Sequence, residues 1–433
     1  MTDSFQTKGF LVWGICALFF FYEFLLRVLP GSFQTAMMHD LHLSNMGFST
    51  LSTTVFLLVY GIMQMPVGLI ADHWGLKKSL LMGALVCSLS SLGMAYSTSF
   101  WEALLYRMIM GFGASFGFVC LLVSVTEWMP ERHRALFIGL SQFLGTLGPI
   151  LATGPLLGLT QQLELSWQFV FGVLSVMGGG SALLVFFVVD NNIERKGVFS
   201  IVYLPENWRQ SLRVIFKKSQ PLWIAWLSFC LYFIIEYLTE NEGLYFLKLK
   251  NDQISDLYAG QMLSYAWWSY AISSPIWGWV SDRFKRRKMP LQISAMFLII
   301  SMVIWVYVSH TTLVLLSMIL LGIGASGQTI GFALMSDQLS KRHIAMGYGL
   351  NNAVITFVSA INAPALGGLL ELMKHGEMPS YADYQLVFHT LIVFSVMAWW
   401  VSSFKIKETF CKNQSGLTLL KPKMKSHVCA SRE

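Results

Sequence analysis

An acid and a base stand four residues apart inside an apolar run near the start of this chain, Tyr22-Glu23-Phe-Leu-Leu-Arg27-Val-Leu-Pro30. At i and i+4 they share one helical face. Such a pair in hydrocarbon either stays neutralised, or lets an arriving anion recruit Arg27 and release Glu23 to accept a proton. A second run, Tyr232-Phe-Ile-Ile-Glu236-Tyr237-Leu-Thr-Glu240-Asn241-Glu242, holds three more acids. Glu236 falls in the middle of its run and is the leading candidate proton carrier, with Glu23 next. Glu240 and Glu242 are solvated instead if the helix breaks early. Arg107 is a further charge inside an apolar run; an arginine there costs several kcal/mol unless it faces a cavity or a partner. Tyr22, Gln142, Tyr265, Gln328 and Asn352 could line the same binding site, although amides in apolar helices commonly bond neighbouring helices. Asn351 and Asn362 belong with them. No Ser-His-Asp set, metal cluster or catalytic carboxylate pair is present, and His389 reads as structural. The chemistry is binding and proton exchange, with no enzyme activity, metal or cofactor expected.

The elements that must position these groups are membrane helices. Of the 433 residues, 55% are hydrophobic and 12% charged, with a mean hydropathy of +0.57. A soluble domain has about 25% charged residues, so lipid is the solvent here. Twelve apolar segments are each long enough to cross about 30 Å of hydrocarbon. They run over 9–30, 47–70, 79–97, 100–126, 135–160 and 167–189, then 221–247, 259–280, 290–308, 311–336, 345–372 and 386–404. The first is too long for a signal peptide and lacks a small-residue cleavage site, so it is expected to be retained. Of the 30 Lys and Arg, all but Arg27, Arg107, Lys248, Lys250 and Lys374 fall on the side of the N-terminus. The positive-inside rule then places both termini in the cytoplasm. The net charge of +7 reflects this topology and anionic lipid, not nucleic acid. Cys16, Cys87, Cys120 and Cys230 lie in apolar helices and Cys411 and Cys429 in the tail, which suggests no disulfides. The Trp and Phe content is assigned to interfaces and core packing.

The pattern divides as 1–189, a first six-helix bundle; 190–220, a cytoplasmic connector; 221–404, a second six-helix bundle; and 405–433, a basic tail. In the connector, Glu206 to Lys218 (ENWRQSLRVIFKK) has the make-up of an amphipathic helix on the inner leaflet. The tail lacks apolar periodicity and is expected to be disordered. The two halves echo each other. Gly68-Leu-Ile-Ala-Asp72-His73-Trp-Gly75-Leu76-Lys77-Lys78 answers to Gly278-Trp-Val-Ser-Asp282-Arg283-Phe-Lys285-Arg286-Arg287-Lys288, with Tyr60 and Tyr270 at matching places before them. Gly111-Phe-Gly113-Ala-Ser115 answers to Gly322-Ile-Gly324-Ala-Ser326, and Arg132-His133 to Arg342-His343. Two halves repeated in the same order place a site between them. In each Gly-x-x-x-Asp loop the glycine admits a close helix approach, and the acid can cap a helix and pair with nearby bases. Gly68, Asp72, Lys77, Gly278, Asp282, Arg283 and Arg287 are thus candidates for a conformational gate. No nucleotide-binding loop is present, so energy must come from a gradient or a partner.

These loops resemble the signature of the major facilitator superfamily, Gly-x-Leu-Ala-Asp-Arg-x-Gly-Arg-Lys, with departures at His73, Leu76 and Lys285. Arg107-Met-Ile-Met-Gly111-Phe-Gly113-Ala114 resembles a second motif of that family, with Met110 where Gln is usual. The resemblance covers the whole chain. It implies an all-α membrane protein of 12 transmembrane helices in two six-helix bundles around a central site, with Arg107 tuning an acid used in proton coupling. Within the family, Tyr22 to Pro30 and Tyr60 to Asp72 look like the sugar-phosphate and anion:cation symporter branch, including the phagosomal nutrient transporter group of intracellular proteobacteria. Arg27 stands where that group has Gln, which favours an acidic substrate. In the fifth helix Ala152 and Thr153 replace the Gly pair of the drug exporters, although Gly145, Gly148-Pro149 and Gly154-Pro155 predict a bend. The expected activity is secondary active transport across the inner membrane by a monomer, as proton-coupled uptake of a small polar or carboxylate-bearing metabolite: an organic anion, amino acid or carboxylate siderophore. Export of such a metabolite, or sensing without transport, remains open.

Overall fold

A computed structural model describes residues 3–43, 47–48, 50–152, 156, 159, 162–190, 215–239, 243–251, 256–340, 343–373 and 379–414. The first half contains α1 (Asp3–Ser32), the short α2 (Gln34–Asp40), α3 (Val55–Trp74), α4 (Leu76–Tyr96), α5 (Phe100–Trp128), α6 (Arg134–Leu151) and α7 (Trp167–Val188). The second contains α8 (Ser219–Tyr237), α9 (Gly243–Lys250), α10 (Asp256–Phe284), α11 (Lys288–Tyr307), α12 (Thr311–Ala325), α13 (Gln328–Gln338), α14 (Ile344–Met373) and α15 (Tyr381–Trp400). Among the described residues no strand is present.

Among the described residues ten helical stretches are long and apolar enough to cross a membrane. Two of the twelve expected spans are helical but fall outside that set, α8 with α9 and α10. Both carry polar and aromatic side chains toward the centre of the protein, Tyr232 and Glu236 on α8 and Tyr270 on α10. The expected span over 311–336 is among the ten, as Thr311–Gln338, and a turn divides it into two helices. Ser326 and Gly327 turn between α12 and α13, where Gly324 and Gly327 lie against Ser294 of α11. Pro30 lies inside α1, which continues to Ser32.

Within each half the helices pack on one another: α4 on α5 and α7 and α1 on α5 and α6, then α11 on α12 and α15 and α8 on α14. The halves meet along two principal seams, α6 against α10 and α3 against α14. Small residues permit the approach. A methyl on Gly68 would sit 2.7 Å from the Ala345 carbonyl oxygen, and one on Gly278 would meet the Ala135 carbonyl. Both seams lie on the face that carries the two Gly-x-x-x-Asp loops. That face is closed.

The first part of the tail departs from the expected disorder. Residues 406–414 fold back on the second half because they supply acceptors and donors that the helix ends there lack. The Glu408 carboxylate accepts the backbone N–H groups of Arg287 (2.8 Å) and Lys288 (3.0 Å) at the start of α11. Asn413 donates to the carbonyls of Ser336 and Leu339 near the end of α13. Residues 191–214, with most of the expected amphipathic helix, and 415–433 lie outside the described residues, as do Glu240, Glu242, Gly154 and Pro155.

Candidate functional site

A cavity lies between the halves, lined from α1, α3, α5, α6, α8, α13 and α14. Six residues singled out in the sequence face it: Glu23, Arg27, Gln142, Glu236, Gln328 and Asn352. Arg27 does not settle on Glu23. Its Nη2 bonds Glu236 Oε1 at 2.7 Å, so that one ion pair ties α1 of the first half to α8 of the second. The other Glu236 oxygen is buried with no hydrogen-bond partner among the described residues. Glu23 is 2% exposed. Its charge feels Arg27 one turn away, yet its carboxylate has no hydrogen bond among the described residues. A second link between the halves runs from Asn352 Nδ2 to Gln64 Oε1 (2.9 Å) and Tyr60 Oη (3.3 Å). Gln328 Nε2 donates to Tyr270 Oη at 2.8 Å.

Two expected lining residues stand elsewhere. Tyr22 is buried on another side of α1, its hydroxyl 3.4 Å from Ser91 Oγ of α4. Tyr265 is 47% exposed on α10 and is not among the lining residues. The aromatic part of the lining, Phe20, Phe24, Tyr60, Phe118 and Tyr232, was not anticipated. A signal existed: Phe20 and Phe24 sit at i and i+4 beside the Glu23–Arg27 face, a spacing that places them together on α1.

Arg107 lies outside the cavity and is completely buried. Among the described residues it meets no carboxylate. Nη1 donates to Leu26 O (3.0 Å), Nη2 to Arg27 O (3.2 Å) and Ser52 O (2.6 Å), and Nε to Leu51 O (3.3 Å). The guanidinium also stacks 4.5 Å from the Phe56 ring centroid. It therefore joins the end of α1 to the π-helical turn Thr50–Thr54 that leads into α3.

On the closed face the second-half loop makes a compact charge cluster. Asp282 Oδ2 accepts the Leu136 N–H at 3.0 Å, in the first turn of α6. An anion is favoured at a helix N-terminus. Arg287, completely buried, donates to Asp282 Oδ1 (2.7 Å), Ser281 Oγ (3.0 Å) and Asp337 Oδ2 (3.1 Å). Burial raises the Asp282 carboxyl above its ordinary value against the pull of Arg287 and of the α6 N–H groups. For Arg287, burial disfavours the charge, but Asp337 and Asp282 overcome it and hold the guanidinium up. Across the seam, Arg134 lies 3.8 Å from Asp337 and donates to Ser336 Oγ (3.3 Å). Thr409 Oγ1 donates to Asp337 Oδ2 at 2.8 Å. The sequence pointed to Asp282 and Arg287 but not to Asp337, Arg134 or Glu408, which complete the cluster from distant positions. Arg283 is exposed. In the first half Lys77 sits 3.8 Å from Asp190 and 5.4 Å above the Phe186 ring. The side chain of Asp72 lies outside the described residues.

Comparison with known proteins agrees with this architecture. Over 192 residues the chain is 30% identical to the class H tetracycline resistance protein of Pasteurella multocida, covering 42% of this chain and 45% of that one. Over 296 residues it is 24% identical to the phosphoglycerate transporter protein of Salmonella typhimurium, covering 61% of each. The chain thus spans about half the length of these curated relatives. The structure of the proton:xylose symporter of the same superfamily superposes with a TM-score of 0.72, covering 97% of this chain and 100% of that one at 16% identity, a likeness of fold alone. The profile of the Major Facilitator Superfamily matches residues 15–249 and 244–422, and this multi-pass membrane chain belongs to that superfamily.

Proposed function

We propose that this chain is a secondary transporter that takes up a small anionic, carboxylate-bearing metabolite together with a proton. The observation that carries this reading is the Arg27–Glu236 ion pair, which bridges the halves inside the central cavity at 2.7 Å. A buried pair is held by mutual compensation, and removing one partner leaves an uncompensated charge that costs several kcal/mol. A solute carboxylate that binds Arg27 would take the guanidinium from Glu236. The vacated carboxylate would then accept a proton from the side to which the cavity opens. The loaded site carries no more net charge than the empty one, and the ionic tie between the halves is gone. Opening of the closed face would follow by rocking one half on the other, with the Asp282, Arg287 and Asp337 cluster as the gate. One relative supports the reading through what its name says of it: it is a phosphoglycerate transporter.

The test is uptake into proteoliposomes under an imposed pH gradient. Glu236→Gln is expected to lose accumulation while keeping exchange of solute, and Arg27→Gln to weaken anion binding by at least about tenfold. Accumulation driven by pH in Glu236→Gln would remove that residue from proton coupling. An unchanged ligand profile in Arg27→Gln would remove the anion site.

A further inference from the structure

The cavity is as selective in its walls as in its charges. Phe20 and Phe118 lie with ring centroids 5.0 Å apart, Phe20 and Phe24 5.7 Å apart, so that α1 and α5 together present one aromatic wall. The Arg27 guanidinium stands 5.2 Å from the Phe24 centroid, at the edge of that wall. Tyr232 adds a ring from α8 in the other half. We propose that the solute is a ring-bearing monocarboxylate, with its carboxylate on Arg27 and its flat body against the Phe20, Phe24 and Phe118 wall. This rests on Arg27 being the anion site.

Charge limits the solute to one negative group. Among the described lining residues Arg27 is the one cation, and Glu23 and Glu236 are acids. A phosphate dianion, a dicarboxylate or a tricarboxylate would bring at least two negative charges to a single guanidinium already flanked by carboxylates. Arg107 offers no help, because its guanidinium is engaged by four backbone carbonyls. One carboxylate on Arg27 and one proton on Glu236 close the balance. A second anionic group would be left in the cavity without a partner, which burial penalises heavily.

Polarity and shape argue the rest. A polyhydroxylated solute needs many hydrogen-bonding groups around it. Of the three lining amides, Gln328 donates to Tyr270 and Asn352 to Gln64 and Tyr60, so that Gln142 and the Gln328 oxygen are the amide groups left to meet a solute. Beside them the lining carries five rings, Phe20, Phe24, Tyr60, Phe118 and Tyr232. Aromatic pairs in stacked or edge-on geometry add to the simple burial of apolar area.

The experiment is equilibrium binding to the purified full-length protein, comparing phenylacetate and phenylpyruvate with acetate, citrate, 3-phosphoglycerate and glucose 6-phosphate. Wild type, Arg27→Gln and Phe24→Leu are measured together, and each variant is accepted only if its elution profile and melting temperature match the wild type. The expected result is that the ring-bearing acids bind at least about tenfold more tightly than acetate or citrate. Phe24→Leu should erode most of that advantage while leaving acetate unchanged, and Arg27→Gln should abolish binding of both. Tighter, Arg27-dependent binding of citrate or phosphoglycerate would overturn the monocarboxylate inference and leave the anion site standing. Binding of glucose 6-phosphate or phenylacetate that ignores Arg27→Gln would overturn the anion site itself. No binding of either ring-bearing acid at millimolar concentration would also overturn the inference.

Discussion

Arg107 donates to the carbonyl oxygen of Leu26 at 3.0 Å, and that carbonyl is the one that Pro30, lacking an N–H, leaves without its helical donor. A proline inside α1 would ordinarily break the helix or leave a buried acceptor unpaired. The guanidinium repairs the gap from α5 and extends to Arg27 O, Leu51 O and Ser52 O. It fixes the backbone of Arg27 without entering the cavity.

Replacing Arg107 with Met should therefore leave up to four buried carbonyls without this donor, at about 1–3 kcal/mol each where nothing else reaches them. A marked fall in melting temperature is expected. Arg107→Lys keeps the charge but loses the planar fork, so it should recover only part of the stability and should still weaken anion binding at Arg27. Wild-type stability and affinity in Arg107→Lys would show that charge alone, and not the clasp on the carbonyls, is what matters.

How much of this was legible in the sequence depends on distance along the chain. Glu23, Arg27 and Glu236 announced themselves because charges in apolar runs are rare, and the Gly-x-x-x-Asp loops because they repeat. What could not be read was who meets whom. Arg27 prefers an acid 209 residues away to the one on its own face, and nothing local encodes that choice. Arg107 carries the family motif but serves backbone carbonyls, which no side-chain pattern can reveal. Tyr265 has the residue type of a cavity group, yet its position on α10 turns it outward. The aromatic wall was hidden by its abundance: with 32 Phe in the chain, three that converge look like any others.

The gate makes its own prediction. Asp282 holds the first turn of α6 across the seam at 3.0 Å and is the group in the second-half loop that grips the other half through backbone N–H. Asp282→Asn removes the charge–dipole attraction, worth about 1 kcal/mol, so the ratio of closed to open forms of this face should fall roughly fivefold. Spin labels at the exposed positions Lys78 and Phe284 would report it as a new, longer distance. An unchanged distance distribution would mean that the glycine seams alone keep this face shut.

Lys250 supplies a pH dependence. It closes the end of α11 by donating to the carbonyls of Trp305 and Val308, with the rings of Phe246 (4.8 Å) and Trp305 (5.6 Å) around it. Burial nonetheless pulls its ammonium down from 10.5 to about 8. Between those values the folded protein binds fewer protons at this site than the unfolded chain. Stability should therefore rise as pH climbs from about 8 toward 10.5, and that gain should be lost as pH falls back through 8. Melting temperatures of wild type and Lys250→Met over this window isolate the effect, because the other titrating groups are common to both. Parallel curves would show that Lys250 keeps its charge in the folded state.

The tail offers a test in which stability and binding should separate. The start of α11 has no side-chain cap of its own; Glu408 provides one from about 120 residues further on, taking the N–H groups of Arg287 and Lys288. An N-terminal cap is worth about 1 kcal/mol, and the carboxylate gains further from the helix dipole. Thr409 and Asn413 fasten the same strap to Asp337 and to the end of α13. Every one of these contacts lies within the second half, and none reaches the cavity. Glu408→Ala should lower the melting temperature by a few degrees, and truncation after Lys405 should lower it further, while solute affinity stays within about twofold of wild type. Arg107→Lys, by contrast, should change both. Truncation that leaves the melting temperature unchanged would show that the strap rests on the second half without holding it, and a large loss of affinity would show that the strap reaches the cavity through the Asp337 cluster.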